Sequence, residues 1–311
     1  MKDKYKIYLG SETEPNTYEG KIEQDLLYDA NKRINELLNI INSNLGNSLY
    51  CMRSLGLCYA VLARRALLRN NDVKLFKQHC YVAGKLNILG KERWWTIGVE
   101  FFAPMSDNLD LINYLKNDTF DADYDLYDRK DLDPFFFKNK TLAINSDHWQ
   151  ELKERSQRFL DDEKNYPKAR KYKPYIPEHE FYVALCDGNV EGMHNALEKL
   201  LDLKIAKRRV RGYCVNFSWF LNVIALELGK IASIHGFDVD IDHPTAPKEL
   251  MKYEPLEHYE DPYDFMKEYD FNKPHQEWID MWQERHRQAK AEQEEIESKK
   301  LKNRILSWFK K

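Results

Sequence analysis

Seven carboxylates fall within sixteen residues of this chain: Asp118, Asp121, Asp123, Asp125, Asp128, Asp131 and Asp133. Only Arg129 and Lys130 oppose them, Tyr124 and Tyr127 are interleaved, and Phe135-Phe136-Phe137 follows. So many charges cannot all be buried, and the stretch is expected to form a solvated negative surface. Such a surface suits a basic partner, because opposite fields steer association and the tyrosines supply anchors. A solvent-facing loop with no further role accounts for the same composition. The spacing Asp121-x-Asp123-x-Asp125 invites a calcium loop but fails in detail. That loop needs Gly at its sixth position and Glu at its last, where this chain has Leu126 and Leu132.

Other chemistry finds less support. Asp240, Asp242 and His243 could meet at a metal, yet residues of these types in a connector also cap adjacent helices. No H-E-x-x-H or H-x-H occurs, and no metal or other cofactor is expected. There is no G-x-S-x-G, no Gly-rich phosphate loop, and no pair among the 51 acidic residues that stands out as an acid–base couple. Cys51, Cys58, Cys80, Cys186 and Cys214 are odd in number and widely spaced. They read as reduced, buried thiols, neither a zinc site nor a disulfide framework. Two basic clusters, Lys204–Arg211 and Lys299–Arg304, could touch phosphate, but a net charge of −3 argues against a nucleic-acid binder. They read more simply as an interhelical turn and as cations complementing a helix C-terminus. The sequence therefore gives catalysis no foothold.

The elements that must position these residues read as mostly α-helical. With 43% hydrophobic and 13% aromatic residues, the chain has the means to build a core. Residues 1–19 form a polar arm. Apolar residues at helical spacing predict helices over about 22–41, 48–70 and 72–89, the third opened by Asp72 as N-cap. The aromatic segment 93–102 is compatible with strand or helix. An all-α context favours helix, with Pro104 ending it and Asp107–Lys116 following as one more short helix. Residues 118–140 show little helical periodicity. Asp147-His148-Trp149-Gln150 resembles a capping box before a helix to about Glu163.

Prolines 167, 174 and 177 mark a boundary between an N-terminal helical region, 20–165, and a C-terminal one, 166–271. In the latter, helices over 178–187 and 190–203 flank an Asp187-Gly188-Asn189 turn, and a longer helix covers about 213–235. Pro274 opens a charged helix in the last region, 272–311. The architecture expected is antiparallel helix pairs in a bundle or short solenoid-like array, with an ordered Pro-rich connector. The N-terminus has no apolar signal region, and no window approaches the ~18 apolar residues of a membrane span. A cytoplasmic protein with no membrane partner is expected.

The connector carries the most distinctive residues. Asp242-His243-Pro244-Thr245-Ala246-Pro247-Lys248-Glu249-Leu250 leads to Tyr253-Glu254-Pro255-Leu256 and then to Tyr259-Glu260-Asp261-Pro262-Tyr263-Asp264-Phe265. Four prolines fix the path of this segment. Its pattern, D-x-P-x-x-P-x-E-L-x-x-Y-E-P-L-x-x-Y-E-D-P-Y-D-F, resembles the C-terminal signature of bacterial polymorphic-toxin immunity proteins, family 49 in particular. The resemblance covers roughly the C-terminal third of the chain. It implies a mostly helical cytosolic protein that binds the catalytic domain of a cognate secreted or contact-delivered toxin and neutralises it stoichiometrically. Asp242, Pro244, Pro247, Tyr253, Pro255, Tyr259, Pro262 and Phe265 would then be scaffold residues. The acidic stretch, with Tyr124 and Tyr127, is the candidate toxin contact. The rival reading is a peptide-sensing or scaffold module of tetratricopeptide-like type, although no repeat of fixed period is present. A hydrolase built on Asp240, Asp242 and His243 is a remoter third.

Overall fold

Short polar side chains set the starts of the best-formed helices. Asn47, Asp72, Asn189 and Asn222 each accept a hydrogen bond from the backbone N–H three residues on, at 2.9, 2.9, 2.9 and 3.1 Å. Each thereby satisfies one of the donors that a helix N-terminus leaves open. The computed structural model describes residues 21–91, 99–117, 133–165, 172–209, 217 and 220–308. Among these residues there are fourteen α-helices and no β-strand. Helices α1 (Lys21–Ser43), α2 (Ser48–Leu68), α3 (Val73–Leu89), α4 (Val99–Ser106) and α5 (Leu109–Asn117) come first. Then follow α6 (Asp133–Ile144), α7 (Trp149–Asn165), α8 (Ile176–Cys186), α9 (Val190–Leu201), α10 (Leu203–Arg209) and α11 (Val223–Ile234). The single-turn helices α12 (Lys248–Met251) and α13 (Asp264–Lys267) punctuate the connector before the long α14 (His275–Trp308).

Neighbours in sequence pack pairwise: α1 with α2, α2 with α3, α3 with α4, α7 with α8, and α8 with α9. The α2–α3 pair comes closest at Gly90, where a Cβ would stand 2.5 Å from the Leu49 carbonyl oxygen. Only glycine permits that approach. One buried hydrophobic cluster runs from Ala30 through the helix pairs and the connector to Trp282. It includes residues on both sides of the proline-rich 166–177 stretch. A small satellite gathers Leu160, Tyr172, Tyr175 and Ile176 around Phe159. Among the described residues no helix is long and apolar enough to cross a membrane.

Several local expectations need correction. Pro104 lies inside α4 and does not end it; the helix runs on to Ser106 and stops where Asp107 turns left-handed at φ 59°. Residue 107 therefore does not begin the next helix, which Asn108 caps by accepting from Leu111 N at 3.0 Å. Residues from Asp133 on are helical, whereas little helical periodicity was expected through 140. Asn145, not Asp147, caps the turn before α7, and Gln150 bonds Glu154 one turn ahead. Of the helix expected over about 213–235, Val223–Ile234 is helical and 217 and 220–222 are not, while 213–216 and 218–219 lie outside the described residues. Asn222, which caps the helix, is also tied elsewhere. Its amide donates to Thr245 O at 2.7 Å and its side chain to Leu200 O at 2.8 Å. The basic stretch expected as an interhelical turn instead contains α10, in which Arg209 is buried.

Candidate interaction surface

Helix α3 carries a polar stripe of Lys77, Gln78, Tyr81 and Lys85, all on the face that meets the connector. Lys77 donates to Glu254 O at 2.6 Å. Gln78 and Glu260 exchange two hydrogen bonds, Gln78 Nε2 to Glu260 O at 2.7 Å and Glu260 N to Gln78 Oε1 at 3.1 Å. Tyr81 and Lys85 hold the two oxygens of Asp261, at 2.9 and 2.7 Å. A polar segment without strand or helix thus finds its backbone partners in side chains of a helix, which satisfies groups that burial would otherwise leave unpaired.

The connector tyrosines complete the attachment. Tyr259 donates to Ser106 O at 2.6 Å while its oxygen accepts from Leu256 N at 3.0 Å. Tyr263 and Tyr59 share a hydrogen bond at 2.9 Å, and Tyr253 N donates to Ser233 Oγ at 2.8 Å. Burial pushes the Tyr259 phenol up to about 12, so it stays a donor at any ordinary pH. Phe265 is buried, stacked on Tyr263 with centroids 5.5 Å apart and edge-on to Trp282 at 6.2 Å. Beyond the connector, Trp278 Nε1 and His275 Nε2 donate to the Leu89 and Lys91 carbonyls at 2.9 and 2.8 Å, closing the C-terminal end of α3.

Beneath this strap lies a buried charge cluster. Asp107 is fully buried and pairs with Lys77 at 2.7 Å and Lys230 at 2.5 Å. Lys230 also donates to Lys252 O at 2.6 Å. Burial lowers the Lys230 ammonium to about 8 even with Asp107 beside it. A second buried network sits among α6, α8, α10 and α11. Arg209 Nε and Nη2 reach Glu178 at 2.8 and 2.5 Å, Tyr182 donates to the other Glu178 oxygen at 3.0 Å, and Lys140 pairs with Glu227 at 2.6 Å. Burial alone would raise the Glu178 carboxyl, but Arg209, with Lys140 and His179, holds it below its ordinary value. His179 stacks on Phe159 at 4.0 Å, and burial pushes its imidazole down to about 3.

With most of its rings and the Asp261 carboxylate turned inward, the strap leaves its other carboxylates outside. Glu254, Glu257, Glu260 and Asp264 are exposed, as are Pro255, His258 and Pro262 between them. Lys252 and Lys267 pair with Glu254 and Asp264 at 3.5 and 2.8 Å. The acidic character of this outward edge therefore rests on Glu257 and Glu260, held on backbone anchored at every few residues and suited to accept cations of a partner. A cleft of about 890 Å³ lies between α14 and the α1–α2 turn. Gly46, Ser48, Leu49, Ile279, Trp282 and His286 are among its walls.

The residues singled out from sequence fare differently. Asp118, Asp121, Asp123, Tyr124, Asp125, Tyr127, Asp128 and Asp131 lie outside the described residues, and Asp133 is the first residue of α6. Of the connector residues, Pro247 and Phe265 are buried, Tyr253 and Tyr259 half-buried, and Pro244, Pro255 and Pro262 exposed. Asp242 caps the single-turn helix α12 by accepting from Lys248 N at 3.1 Å. Asp240 accepts from Lys248 Nζ at 3.0 Å, and His243 Nδ1 engages Thr245. All three polar groups of the weighed metal trio are thus spent on local structure. Among the described residues no group of three or more His, Cys, Asp or Glu could hold a metal ion. Cys51, Cys58 and Cys80 are buried free thiols, Cys186 is half-buried, and Cys214 lies outside the described residues.

Sequence reasoning missed Asp107 and the polar stripe of α3. The stripe had a signal: Lys77, Tyr81 and Lys85 recur every four residues on a helix whose other positions are largely apolar. Compared with known proteins, the chain matches no family model, no curated protein and no solved structure.

Proposed function

We propose that this chain is an immunity protein, one that binds a cognate bacterial toxin and inhibits it stoichiometrically. The observation that carries the reading is the connector 242–265. Its residues resemble the immunity signature, and its fold is a fixed strap, tied down by its tyrosines, Phe265 and Asp261, with Glu254, Glu257, Glu260 and Asp264 outward. A preorganised charged edge favours partner binding, because little ordering entropy remains to be lost on association. The buried charges Asp107, Lys77 and Lys230, Glu178 and Arg209, and Lys140 and Glu227 pair with one another inside the body.

Inhibition then proceeds by covering the toxin's active site or by locking a surface beside it. Where the toxin is a nuclease, its cleft is basic, and the 118–133 carboxylates serve as a phosphate-like row of charge. The test is co-expression of each toxin-like gene encoded beside this one, with and without this protein, in a sensitive host. Rescue of growth together with a one-to-one complex is the expected result. Failure of both would favour a scaffold that senses a peptide, for which the cleft under α14 offers a groove.

A further inference from the structure

The last half of α14 stands away from the body. From Ala291 to Ile305 every residue is exposed, including Ile296 at 52%, Leu301 at 58% and Ile305 at 48%. A helical arm this exposed is only marginally stable in water by itself, and Leu301 and Ile305, four residues apart, put two large apolar side chains on one exposed face. The sequence of the arm supplies a seam. Ala291, Glu294, Ser298, Leu301, Ile305 and Trp308 follow the three–four spacing of a coiled coil, with Ile296 off that line.

We propose that this arm pairs antiparallel with the same arm of a second copy of the chain. Two complementarities select that occupant. The first is charge: Glu292, Glu294, Glu295 and Glu297 occupy the first part of the arm, and Lys299, Lys300, Lys302 and Arg304 the second. Antiparallel pairing lays each acidic half along the basic half of the other copy. The second is size: the seam is small at Ala291 and Ser298 and large at Leu301, Ile305 and Trp308. Reversal of one copy sets small against large at Ala291–Trp308 and Ser298–Leu301, whereas a parallel pair sets small against small.

Orientation is decided by Glu294. The pair Glu297–Lys302 can form between copies in either direction, but a parallel pair confronts Glu294 with its own copy in the seam. Like charges so placed repel, and the antiparallel arrangement removes that contact. The contact is self-complementary about a two-fold axis, so it closes at two copies. Within one arm, Glu295 and Lys299 already pair at 2.6 Å while largely exposed, a link that a partner's charges can share. The proposal is independent of what the rest of the surface binds.

The experiment is sedimentation equilibrium of the full chain at low salt, over a range of concentrations. The expected result is a monomer–dimer equilibrium that shifts toward monomer as salt is added. Leu301→Glu with Ile305→Glu, both at exposed positions, abolishes the dimer while circular dichroism keeps the helical signal of the body. Reversing all four basic residues to Glu in one preparation, and all four acidic residues to Lys in another, leaves each monomeric, and mixing the two restores a dimer. For direction, Ala291→Cys alone forms no more disulfide dimer than the unsubstituted chain, and a mixture with Trp308→Cys does. A wild-type chain that stays monomeric at its highest soluble concentration overturns the proposal. So does a dimer untouched by the Leu301 and Ile305 changes, while an Ala291→Cys dimer overturns the direction.

Discussion

Asp107 and Lys230, 123 residues apart in sequence, meet at 2.5 Å with neither side chain exposed to solvent. Lys77 closes the same carboxylate from the other side, and both lysines extend a proton to the connector backbone, at Glu254 O and Lys252 O. One left-handed aspartate therefore ties α3, the α4–α5 turn, α11 and the start of the strap into one joint.

Removing that aspartate should be costly. Asp107→Ala leaves two lysines buried around a lost counter-charge, and uncompensated buried charge costs about 3–5 kcal/mol. Urea unfolding of Asp107→Ala should show a loss of that order, and Asp107→Ala combined with Lys230→Met should recover part of it. A loss under about 1 kcal/mol, of the size typical of surface pairs, would mean the joint is not formed as described.

The relation between sequence and fold is uneven for a reason these residues show. Helices α1 to α3 were legible because apolar spacing and a capping residue such as Asp72 act within a few residues of each other. The Asp187-Gly188-Asn189 turn was legible on the same grounds, with Gly188 at φ 63° and Asn189 as cap. Asp107 was not legible, since its partners lie 30 and 123 residues away and nothing local distinguishes it from any other turn aspartate. The start of α11 at Val223 escaped for a similar cause: its cap, Asn222, takes further partners from Leu200 and Thr245. The connector was read as ordered from its prolines; the four-residue recurrence of Lys77, Tyr81 and Lys85 marks a polar stripe on α3, but which segment it receives is set by contacts some 180 residues away.

Acid should destabilise the protein through buried imidazoles. Burial lowers His79 to about 4 and His179 to about 3, below the ordinary 6.5. Both stay neutral when folded, so the unfolded chain takes up more protons as pH falls below 6.5. Their contribution is complete above that pH and is lost progressively toward 4 and then 3. Glu178, held low by Arg209, adds a loss of the same sign below 4.5. Denaturant midpoints should therefore fall steadily from pH 7 to pH 4, and His179→Phe should flatten part of the decline. A midpoint constant over that range would contradict the burial of both rings.

The strap should be separable into anchors and spacers. Phe265→Ala removes a ring packed on Tyr263 and Trp282 and should cost about 3–5 kcal/mol. Tyr259→Phe strands Ser106 O and Leu256 N and should cost about 1–3 kcal/mol. Pro255→Ala, at an exposed position, should cost no more than about 1 kcal/mol, through the unfolded chain. Thermal and urea unfolding of the three variants checks the order. A Pro255 variant as unstable as the Phe265 one would show that chain stiffness, not side-chain anchoring, holds the strap.

Charge reversal should reveal how the partner is met. Changing Asp121, Asp123, Asp125 and Asp128 together to Lys should weaken toxin binding and reduce its salt dependence, chiefly through the association rate. Stopped-flow association at two ionic strengths measures both. Unchanged affinity with unchanged salt dependence would remove the acidic segment from the interface and leave the acidic strap or an aromatic surface as the contact.

Neutralisation of a toxin by binding is the function proposed for this chain. The most direct measurement is purification of the complex after co-expression with the neighbouring toxin-like protein, followed by titration calorimetry and a growth assay on the same pair. Rescued growth, a stoichiometry of one to one, and loss of rescue in step with loss of affinity across variants are the expected results. Full growth inhibition in the presence of folded protein, with no heat of binding, would contradict that function.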